Sequence, residues 1–140
     1  MMTPSSLAIA YLDPTALIPI VFEEEPVDAV TWERLNRFPV LVSSNLLEAE
    51  LRVRFAREGQ IFDPDWLSGI EWVQPGGRLG SEMDRIQALA SLSPTRMWHL
   101  ANAVYFADQL SLTNRRTELA FITLDEQQET VARELGLWIP

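Results

Sequence analysis

Two short apolar runs bracket this chain, and each leads into an aspartate that opens a helix. Residues 7–12 stop at Asp13-Pro14-Thr15, and residues 119–123 are followed by Asp125 and a helical pattern over 126–135. A run of this length bounded by turn residues reads as a buried strand, and an aspartate directly before a helical pattern reads as its N-cap. Each strand therefore delivers a carboxylate to the start of a helix.

The segments between continue the alternation. Helices are expected over 15–20, interrupted at Pro19, and over 27–37. A strand at 40–42 leads into an amphipathic helix over 44–57, which Gly59 ends. A turn at Asp63-Pro64-Asp65 and a short strand at 70–73 precede a loop at 74–77. Helices follow at 81–91 and from Pro94 to Leu110, with Pro94 suited to a first helical turn. The last elements are a strand at 120–123, a helix at 126–135 and a strand at 137–139. Strands alternating with helices predict an α/β fold whose mostly parallel central sheet, of about five strands, carries helices on both faces. The 140 residues suffice for one core and leave no room for a second domain, so a single domain over 1–140 is expected.

Four residues stand out as chemistry: Asp13, Glu50, His99 and Asp125. Open α/β sheets bind ligands outside the carboxyl ends of their strands, so Asp13, Asp125 and a carboxylate from a facing helix can converge on one cleft. Glu48 and Glu50 sit two positions apart on one helix and point to different faces. A hard divalent cation takes oxygen ligands and leaves positions open for water and phosphate. It also activates that water for attack on a phosphodiester. Asp13, Glu50 and Asp125 would be the ligands. His99, the single histidine, is a softer donor that favours Mn²⁺ over Mg²⁺; it could equally serve as an acid or base, or pack beside Trp98. Each aspartate taken alone is an ordinary N-cap, and the five tryptophans are too scattered for a base-stacking platform.

The net charge of −9 argues against a non-specific nucleic-acid surface. It does not argue against a nuclease, because carboxylates gathered for a metal are negative until the metal arrives. All eleven basic residues are arginine, the type suited to bidentate phosphate contacts. Arg52, Arg54 and Arg57 lie on the Glu50 helix and Arg115-Arg116 before the last acidic strand, although solvated helix faces are the plainer explanation. The absence of cysteine rules out disulfides and thiolate sites and agrees with a reducing cytosol. No signal-peptide pattern opens the chain, and no apolar run approaches the ~20 residues that span a bilayer, so a cytoplasmic location is expected.

Tyr11 to Leu17, Ser44 to Arg57, Thr95 to Ala107 and Phe121 to Leu137, taken in order, resemble the PIN-domain nucleases, and in size and motif order the VapC-type toxins among them. The resemblance implies an acidic quartet holding Mg²⁺ or Mn²⁺, with Asp13 as first acid, Glu50 as second and Asp125 as fourth. His99 stands where the third acid would be, with Asn102 at the family's histidine; an alternative register puts Arg96 at the acid position. In either register the third acid is missing, and Pro14 replaces the usual Ser or Thr. What the resemblance implies is a metal-dependent endoribonuclease with an RNA substrate, a small antitoxin protein as partner and pairing into a homodimer. Phe62, Trp66 and the apolar stretch Trp98 to Phe106 are residues such partners could cover. The alternative is a degenerate PIN domain that lost full metal affinity with its third acid and works as a binding or regulatory module.

Overall fold

The computed structural model describes residues 9–24, 27–113 and 118–140, without the side chains of 27–30. Leu7, Ala8, Glu25, Arg115 and Arg116 lie outside the described residues. Four strands, β1 (Ile9–Leu12), β2 (Val40–Ser43), β3 (Ile70–Trp72) and β4 (Leu119–Ile122), form one sheet in the order β3-β2-β1-β4. All three pairings are parallel, with Tyr11 opposite Val42 on one side and Phe121 on the other. The helices are α1 (Pro14–Val21), α2 (Val27–Leu35), α3 (Leu46–Arg57), α4 (Gly80–Gln87), α5 (Pro94–Thr113) and α6 (Glu126–Glu134), and a 3₁₀ turn spans Pro64–Leu67.

Side chains alternate across a strand, so a continuously apolar strand feeds two cores at once. Tyr11, Val42, Leu119 and Phe121 pack into one cluster with Ile86 of α4, Leu100 and Val104 of α5, and Val131 of α6. Ala10, Leu12, Ala120 and Ile122 face the other way and join Leu17 and Ile20 of α1 with Leu47, Leu51 and Phe55 of α3. Helices therefore cover both faces, as the apolar runs require. Phe121 is fully buried and stacked on Tyr11 with ring centroids 5.6 Å apart, so Phe121→Ala would cost about 3–5 kcal/mol.

Two expectations need correction. The sheet has four strands rather than about five, because the segment at 137–139 contributes a single parallel bridge, Ala120 to Trp138. Gly136 turns the chain with φ 89°, and Trp138 then donates to Leu119 O at 3.1 Å and accepts from Phe121 N at 2.8 Å. Pro140 has no N–H with which to carry the ladder further. Helix α1 also runs through Pro19 to Val21 without interruption. A proline that close to the helix end removes one backbone bond, and burial of its ring beside Ala16, Leu17 and Ile20 offsets the loss.

The strand order creates a place for a ligand. From β1 the chain passes through α1 and α2 to β2 and then outward to β3, whereas β4 lies against the opposite edge of β1. This is a topological switch point, the kind of place where open α/β sheets bind ligands. Asp13 follows β1 there, and Thr123 and Asp125 follow β4. Among the described residues no helix is long and apolar enough to cross a membrane.

Candidate functional site

Asp13 is the N-cap of α1, in extended backbone conformation, with Pro14 in the first helical position. The residue is 2% exposed, and its carboxylate is held by three donors. Oδ2 accepts from Thr15 N at 3.1 Å and from Thr15 Oγ1 at 2.7 Å, while Oδ1 accepts from Gln128 Nε2 at 3.1 Å. Thr123 Oγ1 stands 3.3 Å from Oδ2, but its one proton has a closer acceptor in Gln128 Oε1 at 2.8 Å. Both threonine oxygens take backbone donors in turn, Thr15 from Leu124 N at 2.9 Å and Thr123 from Asp125 N at 3.1 Å. Gln128 spends its remaining polar reach on Arg96 O at 3.2 Å. Every proton in this network has an assignment. A carboxylate has about four acceptor sites, so three donors orient Asp13 and leave one lone pair on Oδ1.

Glu50 reaches the same place from α3. Leu47, Leu51 and Phe55 form the buried stripe of that helix. Position 50, three residues after Leu47, flanks the stripe toward the sheet edge, whereas Glu48 turns outward to pair with Arg52 at 2.7 Å. The Glu50 side chain is 28% exposed, and its Oε1 sits 2.7 Å from His99 Nε2.

His99 lies in the buried middle of α5, where residues 99–104 are all inaccessible, and its own exposure is 1%. Its other nitrogen, Nδ1, lies 2.8 Å from Tyr11 Oη and 3.5 Å from Ser44 Oγ. Tyr11 Oη also accepts the Ser44 N–H at 3.1 Å. Burial pushes the Tyr11 phenol well above its usual range, so its hydroxyl keeps its proton.

Asp13, Glu50 and His99 line one cleft of about 210 Å³ together with Pro14, Thr15, Ser93, Thr95 and Arg96. Three of the four residues singled out in the sequence thus meet. Asp125 does not line this cleft: its Oδ2 caps α6 by accepting from Gln128 N at 2.9 Å, and its Oδ1 pairs with Arg96 Nε at 3.3 Å. Arg96, the other register's candidate, stands at the rim between Asp125 and the cleft. Asn102 is buried away from the cleft, donating to Trp98 O at 2.9 Å, and its Oδ1 has no partner among the described residues.

Among the described residues no three histidine or acidic side chains form a ready metal cage. The donor set on the cleft is two carboxylates, Asp13 and Glu50. That suits Mg²⁺, which is usually held by one or two carboxylates with waters and substrate phosphate completing its shell.

Tyr11, Ser44, Thr123 and Gln128 also belong to the site, and the sequence reading did not single them out. Gln128 had a signal: Asp125 followed three residues later by glutamine is capping-box spacing. Its side chain turns inward to Thr123 and Asp13 instead of back to the cap.

Arg52 and Arg54 do not reach the cleft. Arg54 pairs with Glu24 and Glu58 and lies over Phe22, and Arg52 lies over Phe62. Phe62 in turn packs edge-on against Phe55 at 5.6 Å, and Trp66 packs on the same core.

Compared with protein-family models, with curated proteins and with solved structures, the chain shows no match in any of the three.

Proposed function

We propose that this protein is a divalent-metal-dependent endoribonuclease of the PIN type, hydrolysing RNA phosphodiesters at the cleft where the end of β1 meets α3 and the first turns of α5. The observation that carries the reading is that Asp13 and Glu50, from a strand end and a separate helix, line one cleft with His99 and Arg96 beyond the carboxyl end of β1. Asp13 and Glu50 would hold the Mg²⁺ or Mn²⁺. Such an ion, when bound, supplies Lewis-acid stabilisation and an acidified water.

The chain's own residues supply the rest. Asp13 is oriented by Thr15 and Gln128 so that one lone pair of Oδ1 is left for a ligand. Glu50 Oε1 is engaged by His99; its other oxygen makes no hydrogen bond to the described residues and can accept a proton from a cleft water. Arg96, with its side chain 43% exposed, can turn from Asp125 toward a phosphate and form a bidentate contact. Ser93 and Thr95 add hydroxyls along the same wall. The partners implied by the PIN resemblance, a small antitoxin protein and a second copy of the chain, and a cytoplasmic setting belong to this proposal.

A specific observation favours a second reading. Asp125 is committed to a cap and an ion pair, and an imidazole occupies the third position, which fits a degenerate PIN domain acting as a binding or regulatory module. Titrating purified protein with Mg²⁺ and Mn²⁺ against single-stranded RNA separates the two. Metal-dependent cleavage that Asp13→Asn abolishes supports the nuclease; no cleavage with either ion leaves the module.

A further inference from the structure

The buried end of the cleft contains a chain of three side chains, Tyr11, His99 and Glu50, linked by contacts of 2.8 and 2.7 Å. The middle member decides what the chain can do, because a neutral imidazole has one donor and one acceptor nitrogen. Tyr11 Oη already accepts the Ser44 N–H, and its own proton points at the nearest acceptor, Nδ1 of His99. With Nδ1 accepting, the ring proton resides on Nε2, and that N–H faces Glu50 Oε1, an oxygen that needs a donor. Both contacts are satisfied by one tautomer. The other would set a bare Nε2 lone pair against a carboxylate oxygen and leave two donors, O–H and N–H, facing each other at Tyr11.

We propose that Tyr11 is a positioning residue: its buried hydroxyl holds His99 in the Nε2–H tautomer, and that N–H holds the Glu50 carboxylate in place on the cleft. His99 is then not a metal ligand, since neither nitrogen has a lone pair directed at the cleft. It is a donor that steadies one, a role outer-shell partners fill at metal sites, where their loss costs about 10- to 100-fold in affinity or activity. The consequence for Glu50 rests on the proposed nuclease reading, whereas the tautomer itself does not.

The protein has a single histidine, so its ring nitrogens can be read without assignment ambiguity by two-dimensional proton–nitrogen NMR. The wild-type protein should show a protonated Nε2, slowly exchanging with water, and an unprotonated Nδ1. Tyr11→Phe should loosen that pattern, with faster exchange and partial protonation of Nδ1, because the remaining contact at Nδ1, Ser44 Oγ, is 3.5 Å away and only Glu50 still favours the proton on Nε2. A wild-type proton on Nδ1, fast averaging between the two forms, or a Tyr11→Phe spectrum like wild type would overturn the proposal. Where the variant fails to fold, the wild-type spectrum alone decides.

Mn²⁺ binding measured without RNA gives the second readout. Tyr11→Phe and His99→Leu should weaken it about 10- to 100-fold, while His99→Gln, whose amide can still donate to Glu50, should recover most of the loss. Equal affinity across all variants would overturn the role at Glu50. The stated tautomer with no Mn²⁺ bound by any variant would support the Tyr11–His99 link and count against the nuclease reading.

Discussion

Gln128 Nε2 donates a 3.1 Å hydrogen bond to Asp13 Oδ1 across 115 residues of sequence. The contact joins the helix after β4 to the carboxylate after β1, and it closes the network that gives Asp13 its orientation.

Removing Gln128 should therefore be felt in stability first. Gln128→Leu leaves Asp13 Oδ1 and Arg96 O short of a donor in a buried place. We expect a loss of about 1–3 kcal/mol, the cost of stranding buried polar groups, measured by urea unfolding. A change below about 0.5 kcal/mol, the range of neutral surface substitutions, would show that the network has no structural role.

Asp13→Asn keeps a good N-cap, since asparagine and aspartate serve that position about equally. RNA cleavage should disappear with the fold retained, and the melting temperature should fall somewhat because the new amide nitrogen meets the Gln128 Nε2 donor. Full cleavage by this variant would remove Asp13 from the chemistry.

Asp125 makes the contrasting case. Its carboxylate caps α6 and pairs with Arg96 rather than lining the cleft, so Asp125→Asn should retain the cap and most of the cleavage rate. Asp125→Ala should cost about 0.5–2 kcal/mol through the lost cap. Abolished cleavage in the Asn variant, with stability unchanged, would make Asp125 a ligand after all.

His99→Asp would set a second carboxylate near Glu50 in a place that is 1% exposed in the wild type. Like charges at close range destabilise one another until a cation arrives. The variant should melt lower than wild type in chelator and regain more stability on adding Mg²⁺ or Mn²⁺, roughly 2.7 kcal/mol at a metal concentration of 100 Kd. A melting temperature insensitive to both ions would show that the third position does not look onto a metal site.

The Tyr11 phenol yields a prediction about alkaline pH. Burial raises its pKa in the folded protein above the unfolded value near 10. Between the two values the unfolded chain has lost a proton that the folded chain retains, so stability declines as pH rises above about 10. The slope from this one group is at most about 1.4 kcal/mol per pH unit. Tyr11→Phe should remove that component, and phenolate absorbance from Tyr11 should emerge only as the wild type unfolds. A Tyr11 phenolate signal preceding unfolding would contradict its burial.

What the chain determines by itself is what a few neighbouring residues can specify. Apolar runs and helical periodicity set the order of elements and put Glu48 and Glu50 on different faces of one helix, while the choice of Glu50 came from the resemblance. The aspartates at 13 and 125 announced caps, and both are caps. The fate of each carboxylate beyond its cap was settled only by tertiary structure. Asp13 and Asp125 share a local context, each following a strand and capping the next helix. One is enclosed by Thr15 and Gln128 beside the cleft, and the other is turned outward to Arg96. The same holds for the fifth strand, which reads like the others yet pairs through Trp138 alone. Tyr11 looks like any core aromatic in its run until the packing of α5 against β1 brings His99 within 2.8 Å of its hydroxyl, 88 residues away. Periodicity and capping are local and repeat along the chain. The partner of a buried polar atom depends on which elements become neighbours, and a change of one strand in the sheet order would reassign every one of them.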